Sequence, residues 1–185
     1  GYNNLYGWKT AFASPENQPT YLHAHKLMRK TWQGMPGVGD IGSDKWKQIA
    51  DKVNDNYFFI DMDRYTLESV LRKGAELVKR KGIKCLVIDP YNKVRDVDCK
   101  TEDVNRYTME HLTKIEMFAK KYDVLVFIVA HPTKMYKGND GKIEEPTMYN
   151  IKGGGEWYDA SYHGLLVHRD YEAKTTKVKV LKVKF

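Results

Sequence analysis

Cys85-Leu86-Val87-Ile88-Asp89-Pro90-Tyr91-Asn92 is a run of strand-forming residues that closes on one acid, followed by a proline and a turn residue. That pattern predicts a buried strand with a carboxylate at its carboxyl end. In an open α/β sheet, ligands sit beyond the carboxyl ends of the strands. A carboxylate placed there is suited to hold Mg²⁺ beside a nucleotide phosphate, directly or through water. The alternative is that Asp89 only begins a turn. The decision between them rests on the rest of the chain.

Strand and helix alternate on both sides of this stretch. Upstream, Trp8 to Ala13 suits a strand that stops at Ser14-Pro15-Glu16-Asn17, where proline ends the ladder. Tyr21 to Trp32 has helical spacing; Ser43 to Val53 reads as a helix with Ser43 as N-cap, and Tyr57-Phe58-Phe59-Ile60 as a strand. Thr66 to Arg80 is amphipathic, with Leu67, Val70, Leu71, Ala75, Leu77 and Val78 clustered on one side and Gly82 as its stop. Downstream, Thr101 to Lys121 reads as a long helix capped at Thr101. Val124 to Ala130 is the most apolar strand and ends in His131-Pro132-Thr133-Lys134. Two strands apolar on both faces, among alternating helices, predict an α/β fold with a mostly parallel central sheet flanked by helices on both faces. Right-handed crossovers bring Glu16, Asp89 and His131 to one edge of it.

At 185 residues and 42% hydrophobic content, the chain reads as one domain over 1–185. No apolar run reaches the length of a membrane span, and the amino terminus lacks the pattern of a signal peptide, so a cytoplasmic protein with no membrane partner is expected. Cys85 and Cys99 make neither a disulfide framework nor a zinc set. His23 and His25 lie two apart on a helix and point to different faces, which favours packing over metal binding. The net charge of +7 favours a polyanionic partner.

The glycines of Gly34 to Gly42 lack the Gly-Lys-Ser/Thr ending of a phosphate-binding loop, as do Gly7-Trp8-Lys9-Thr10 and Gly138 to Lys142. No Walker A motif is present. Lys134 to Lys152 is polar and aperiodic, a long loop, and Gly153-Gly154-Gly155 permits close backbone approach or positive φ, or is a plain flexible turn. Leu165 to His168 and Lys177 to Phe185 read as two more strands. In the second, Lys177 and Lys179 share one parity and Lys182 and Lys184 the other, so a bulge is expected at Val180-Leu181.

Taken in order, these motifs resemble the RecA-like ATPase core of replicative hexameric DNA helicases, the DnaB class, and especially phage primase-helicases and Twinkle-like proteins. The resemblance runs from about Trp8 to Phe185. It implies that Glu16 is the catalytic glutamate that polarises the attacking water, and that Asp89 is the Walker B carboxylate for Mg²⁺ and ATP. His131 takes the place of the residue that senses the γ-phosphate. Lys134, Lys152 and Gly153, Gly154 and Gly155 resemble the DNA-binding loop; Asn92, Lys93 and Arg95 match a second DNA-facing segment. Lys182 and Lys184 stand where the family carries a Lys-x-Arg pair reaching the neighbouring subunit's nucleotide. Lysine at 184 keeps the charge but lacks the bidentate fork of arginine, and Arg169 is a substitute.

The resemblance further implies a partial RecA-like helicase domain without its Walker A segment. The parent would use ATP and Mg²⁺, form a homo-hexameric ring, and translocate on single-stranded DNA during DNA replication in a bacterial nucleoid or phage-infected cell. The chain alone is expected to bind ATP poorly. Two alternatives stay open: a non-catalytic nucleic-acid-binding module, and a RecA-type recombinase or regulatory ATPase on the same fold.

Overall fold

The quoted stretch forms β3 (Ile83–Ile88), whose side chains are buried on both faces. It lies between β1 (Lys9–Ala13) and β4 (Leu125–Ile128), and β2 (Tyr57–Ile60) pairs with the far side of β1. All these pairings are parallel, in the order β2-β1-β3-β4. The structure is a computed structural model and describes residues 5–33, 42–94, 104–134, 145–170 and 173–185. Thr101, Arg95, Cys99 and the centre of the polar loop lie outside the described residues. These residues fall into two compact units, Gly1–Asp96 with Phe118–Val129, and Val97–Met117 with Ala130–Phe185.

In the first unit, side-chain alternation along the strands assigns the helices to opposite faces. Thr10 and Phe12 pair with Tyr57 and Phe59, which sets these four on one face. Against it lie α1 (Thr20–Gln33) and α2 (Ser43–Asn56), whose Met28, Ile49 and Val53 are buried together and touch Tyr57. The other face carries Ala11, Ala13, Leu86 and Ile88, none of them exposed. There α3 (Leu67–Lys81) packs, and Gly74 lets the helix come close: a β-carbon at that position would lie 3.1 Å from Phe118 and 3.2 Å from Leu86. Phe118 belongs to the last turns of α4 (Val104–Tyr122).

The ends of α3 follow the sequence. Thr66 and Ser69 form a reciprocal capping box, and Gly82 closes the helix in the left-handed conformation at φ 66°. The expectation for α2 needs correction. Its N-cap is Gly42, and Ser43 is the first helical residue, because the Gly42 carbonyl accepts from both Lys45 N and Trp46 N at 3.1 and 3.3 Å. β4 is also shorter than the apolar run predicted, although Val129 N still donates to Ile88 O at 2.9 Å. Cys85 is a free buried thiol whose pKa burial pushes up to about 11, which makes it a core residue rather than a nucleophile.

His23 packs by its ring on Phe12 and Phe59, with centroids 4.9 and 5.0 Å away. Burial, with Lys26 assisting and Asp89 opposing, holds its pKa below the ordinary 6.5. A histidine whose pKa is lowered on folding binds fewer protons in the native than in the unfolded state as pH falls through 6.5, so the fold loses stability there. In urea titrations, stability should fall as pH drops from about 7 to about 5. His23→Gln should flatten that segment, and an unaltered slope in the variant would assign it to other groups.

The second unit is built on an antiparallel hairpin, β5 (His163–Asp170) with β6 (Thr175–Val183). Gly164 pairs with Lys182 and Leu165 with Val180, which leaves Leu181 as the extra residue of a bulge. The slip in lysine parity marked that position. On one face Leu165, Val167, Val178 and Val180 are all more than half exposed. A 3-10 turn at Met148–Asn150 and the short helix α5 (Gly154–Ala160) complete the unit, together with the first turns of α4.

Candidate functional site

At the carboxyl edge of the parallel sheet, β1 and β3 end side by side. Asp89 N donates to Ala13 O at 2.9 Å, which carries the pairing one residue beyond the strands. Buried Ser14 then donates to the Asp89 carbonyl at 3.0 Å and stands 3.4 Å from Asp89 Oδ2. The main bond goes to the carbonyl, so the carboxylate keeps most of its accepting capacity. Asn17 Nδ2 donates to Ser14 Oγ at 2.8 Å, and Lys26 Nζ donates to Asn17 Oδ1 at 2.8 Å. This chain of bonds fixes the Ser14–Asn17 turn, and with it the base of Glu16, to the end of β3.

Ser14, Asn17 and Lys26 were not singled out in the sequence, where Ser14-Pro15-Glu16-Asn17 is a strand stop that presents Glu16. A buried hydroxyl just before the proline was the available signal. Glu16 itself is exposed, and its nearest cationic neighbour is Lys93, at 4.0 Å with both side chains about half exposed. At the surface such a pair is worth about 0–1 kcal/mol. Its significance is positional: it sets an ammonium beside the carboxylate. Lys93 and Asn92 are exposed in a 3-10 turn at Tyr91–Lys93 whose flanking Tyr91 and Val94 are buried, and Tyr91 N donates to Val129 O at 2.8 Å. The turn is therefore anchored at both ends while its polar tips face solvent. Asp89 is half-buried at the same edge.

The remaining candidates lie in the second unit. His131 and Lys134 are exposed on the segment that follows β4. This segment is tied to the glycine turn by a bridge between Pro132 and Ile151 and by Thr133, whose N and Oγ1 both donate to Asn150 O, at 2.7 and 3.0 Å. Lys134 and Lys152 thus lie on bonded neighbouring segments. Both are exposed and have no carboxylate partner among the described residues.

The three glycines divide by role. Gly153 has φ 87° and would meet Thr108 Oγ1 at 2.7 Å with a β-carbon; Gly154 would meet Tyr149 O at 2.4 Å. Gly155 is exposed and meets nothing within 4 Å. The first two are required by the fold, and only the third is open to an approaching ligand. The turn is closed by buried Trp157, whose Nε1 donates to Lys152 O at 3.0 Å.

Lys182 donates to the Tyr158 carbonyl and lies 4.5 Å from the Tyr158 ring centroid; Lys184 lies 5.1 Å from that of Tyr162. Arg169 pairs with Thr176, to whose Oγ1 it donates at 3.0 Å. It stands five residues along β5 from Gly164, the partner of Lys182, or about 17 Å at strand rise. Arg169 and the lysine pair therefore occupy opposite ends of the hairpin.

Among the described residues, no group of three or more His, Cys, Asp or Glu is arranged to hold a metal. One half-buried carboxylate at a strand end fits Mg²⁺ all the same, because that ion is held by one or two carboxylates with substrate phosphates and water rather than by an all-protein cage. No helix among the described residues is long and apolar enough to cross a membrane.

No protein-family profile matches the chain. Over 98% of its length it is 28% identical to the Twinkle homolog protein, chloroplastic/mitochondrial, of Arabidopsis thaliana, and it spans 26% of that protein. Among solved structures, an ATPase domain matches with a TM-score of 0.73 at 13% identity, over 96% of this chain and 68% of that one. A DnaB-like replicative helicase, solved for its interactions with primase, matches with a TM-score of 0.72 at 14% identity, over 96% and 46%. The chain therefore has the RecA-like fold found in these two structures, joined to a sequence similarity with a Twinkle homolog that runs over nearly its whole length.

Proposed function

We propose that the chain is the part of a replicative DNA helicase motor that lies after the phosphate-binding loop, and that in its parent it couples ATP hydrolysis to movement along single-stranded DNA. The observation that carries this reading is the strand edge where Glu16 and Asp89 are joined through Ser14, in a chain similar to a Twinkle homolog. Glu16, exposed at this edge, orients and deprotonates the attacking water. Asp89 holds Mg²⁺, which when bound neutralises charge on the ATP phosphates. Lys93 sits beside Glu16 at the same edge.

His131 reads the γ-phosphate. Lys182 and Lys184 are the cations presented to the nucleotide of the next subunit in a homo-hexameric ring. Arg169, at the other end of the hairpin, is the alternative. Asn92, Lys93, Arg95, Lys134, Lys152 and Gly155 contact the DNA backbone without reading its sequence. The setting is the cytoplasm of a bacterial or phage-infected cell.

The test is a chain extended upstream of Gly1, assayed for ATP hydrolysis with and without single-stranded DNA. DNA-stimulated turnover is expected, and an extended chain that folds, binds ATP and hydrolyses none would overturn the motor reading. A second reading, favoured by the net charge of +7, is a non-catalytic nucleic-acid-binding module. It is distinguished by salt-sensitive single-strand binding that persists when the extended chain shows no hydrolysis.

A further inference from the structure

Tyr149 is an exposed aromatic held in place from several directions. It is the middle residue of the 3-10 turn Met148–Asn150, and a capping box between Thr147 and Asn150 closes that turn. Met148 on one side is buried and packs where Gly164 leaves no β-carbon; Asn150 on the other accepts two bonds from Thr133. The Tyr149 backbone abuts Gly154. Its ring, still 60% exposed, stacks on Tyr158 at 5.0 Å between centroids and 20° between planes.

One cation lies on this pair and two more stand on the segments bonded to its turn. Lys182 rides on the Tyr158 ring at 4.5 Å. Lys152 follows the turn by two residues, and Lys134 follows Thr133, which is bonded to Asn150. The acids of α5, Glu156 and Asp159, are the opposing charges nearby in sequence. A stacked ring that stays 60% exposed, in a turn flanked by lysines, matches a ligand that is flat and aromatic in one part and anionic in the other. A nucleobase with its phosphate has that chemistry.

We infer that Tyr149, backed by Tyr158, is a base-stacking platform for single-stranded nucleic acid, whose phosphates lie along Lys134 and Lys152. This rests on the single-strand binding proposed above and adds to it a contact with the bases. Stacking on a tyrosine is tolerant of base identity, which suits a protein that tracks along a strand of any sequence. The platform also gives the glycine turn a purpose: Gly154 lets the Tyr149 backbone approach α5, which carries Tyr158, while Gly155 stays open.

The experiment measures fluorescence anisotropy of labelled oligo-dT and of an abasic oligonucleotide of the same length, with the whole chain and its variants. Tyr149→Ala should weaken oligo-dT binding roughly 5- to 150-fold, the range for loss of one stacked base, and leave abasic binding unchanged. Tyr149→Trp should restore oligo-dT binding. Lys152→Glu should weaken both ligands and reduce the salt slope by about one unit. Circular dichroism melts of each variant guard against loss of fold. If wild-type chain binds neither oligonucleotide, single-strand binding itself fails and the platform with it. If it binds both and Tyr149→Ala changes neither, or both equally, the stacking role alone is overturned. Loss of mononucleotide binding in Tyr149→Ala, with oligo-dT binding intact, would reassign the platform to a free nucleotide and overturn the strand assignment.

Discussion

Glu16→Gln, placed in an extended chain that hydrolyses ATP, should lower kcat by about 100-fold or more with little change in KM, since a positioned general base contributes roughly 10²–10⁴-fold. The substitution keeps the shape of the side chain and removes its basicity. Glu16 is exposed and its ion pair with Lys93 is long, so the fold should lose no more than about 1 kcal/mol. Asp89→Asn should act differently. It keeps an oxygen for Ser14 but loses the charge that attracts Mg²⁺, so the Mg²⁺ concentration needed for half-maximal rate should rise. Steady-state ATPase assays with a magnesium titration check both: unchanged turnover in Glu16→Gln, or an unchanged magnesium requirement in Asp89→Asn, would remove that residue from the site.

The second large effect is on stability. Trp157→Ala should cost about 3–5 kcal/mol, as for a buried aromatic reduced to a methyl group. Trp157 is 3% exposed, and its indole N–H satisfies the carbonyl of Lys152. Trp157→Phe keeps the apolar bulk and loses that bond, for a smaller cost of about 1–3 kcal/mol. Gly153→Ala should add about 1–3 kcal/mol of backbone strain at φ 87°, on top of the contact with Thr108. Gly155→Ala should be neutral or slightly stabilising, because that position is open and lies within a helix. Urea unfolding of the four variants gives the order directly. Equal losses for Gly153→Ala and Gly155→Ala would mean that the turn is not built as described.

Much of this was legible in the chain because it depends on local periodicity. The strand ending at Asp89, the helix between Thr66 and Gly82, and the bulge at Leu181 each follow from spacing along a few residues, and each is found where expected. Caps were less legible. Ser43 has the right side chain for an N-cap, yet Gly42 takes the position, since its carbonyl accepts the first helical bonds, from Lys45 N and Trp46 N.

What the sequence by itself determined is the α/β architecture, with parallel strands that close on polar residues, because hydrophobic period and turn chemistry are properties of neighbouring residues. Which residues meet was decided only by the tertiary structure. In the relay from Lys26 through Asn17 and Ser14 to Asp89, the last link joins residues far apart in the chain, and the pairing of β1 with β3 brings Ser14 to Asp89. The stack of Tyr149 on Tyr158, and the division of three identical glycines into two required and one free, arise in the same way. Steric fit between backbones has no signature in composition, so three glycines in a row read alike until their neighbours are in place.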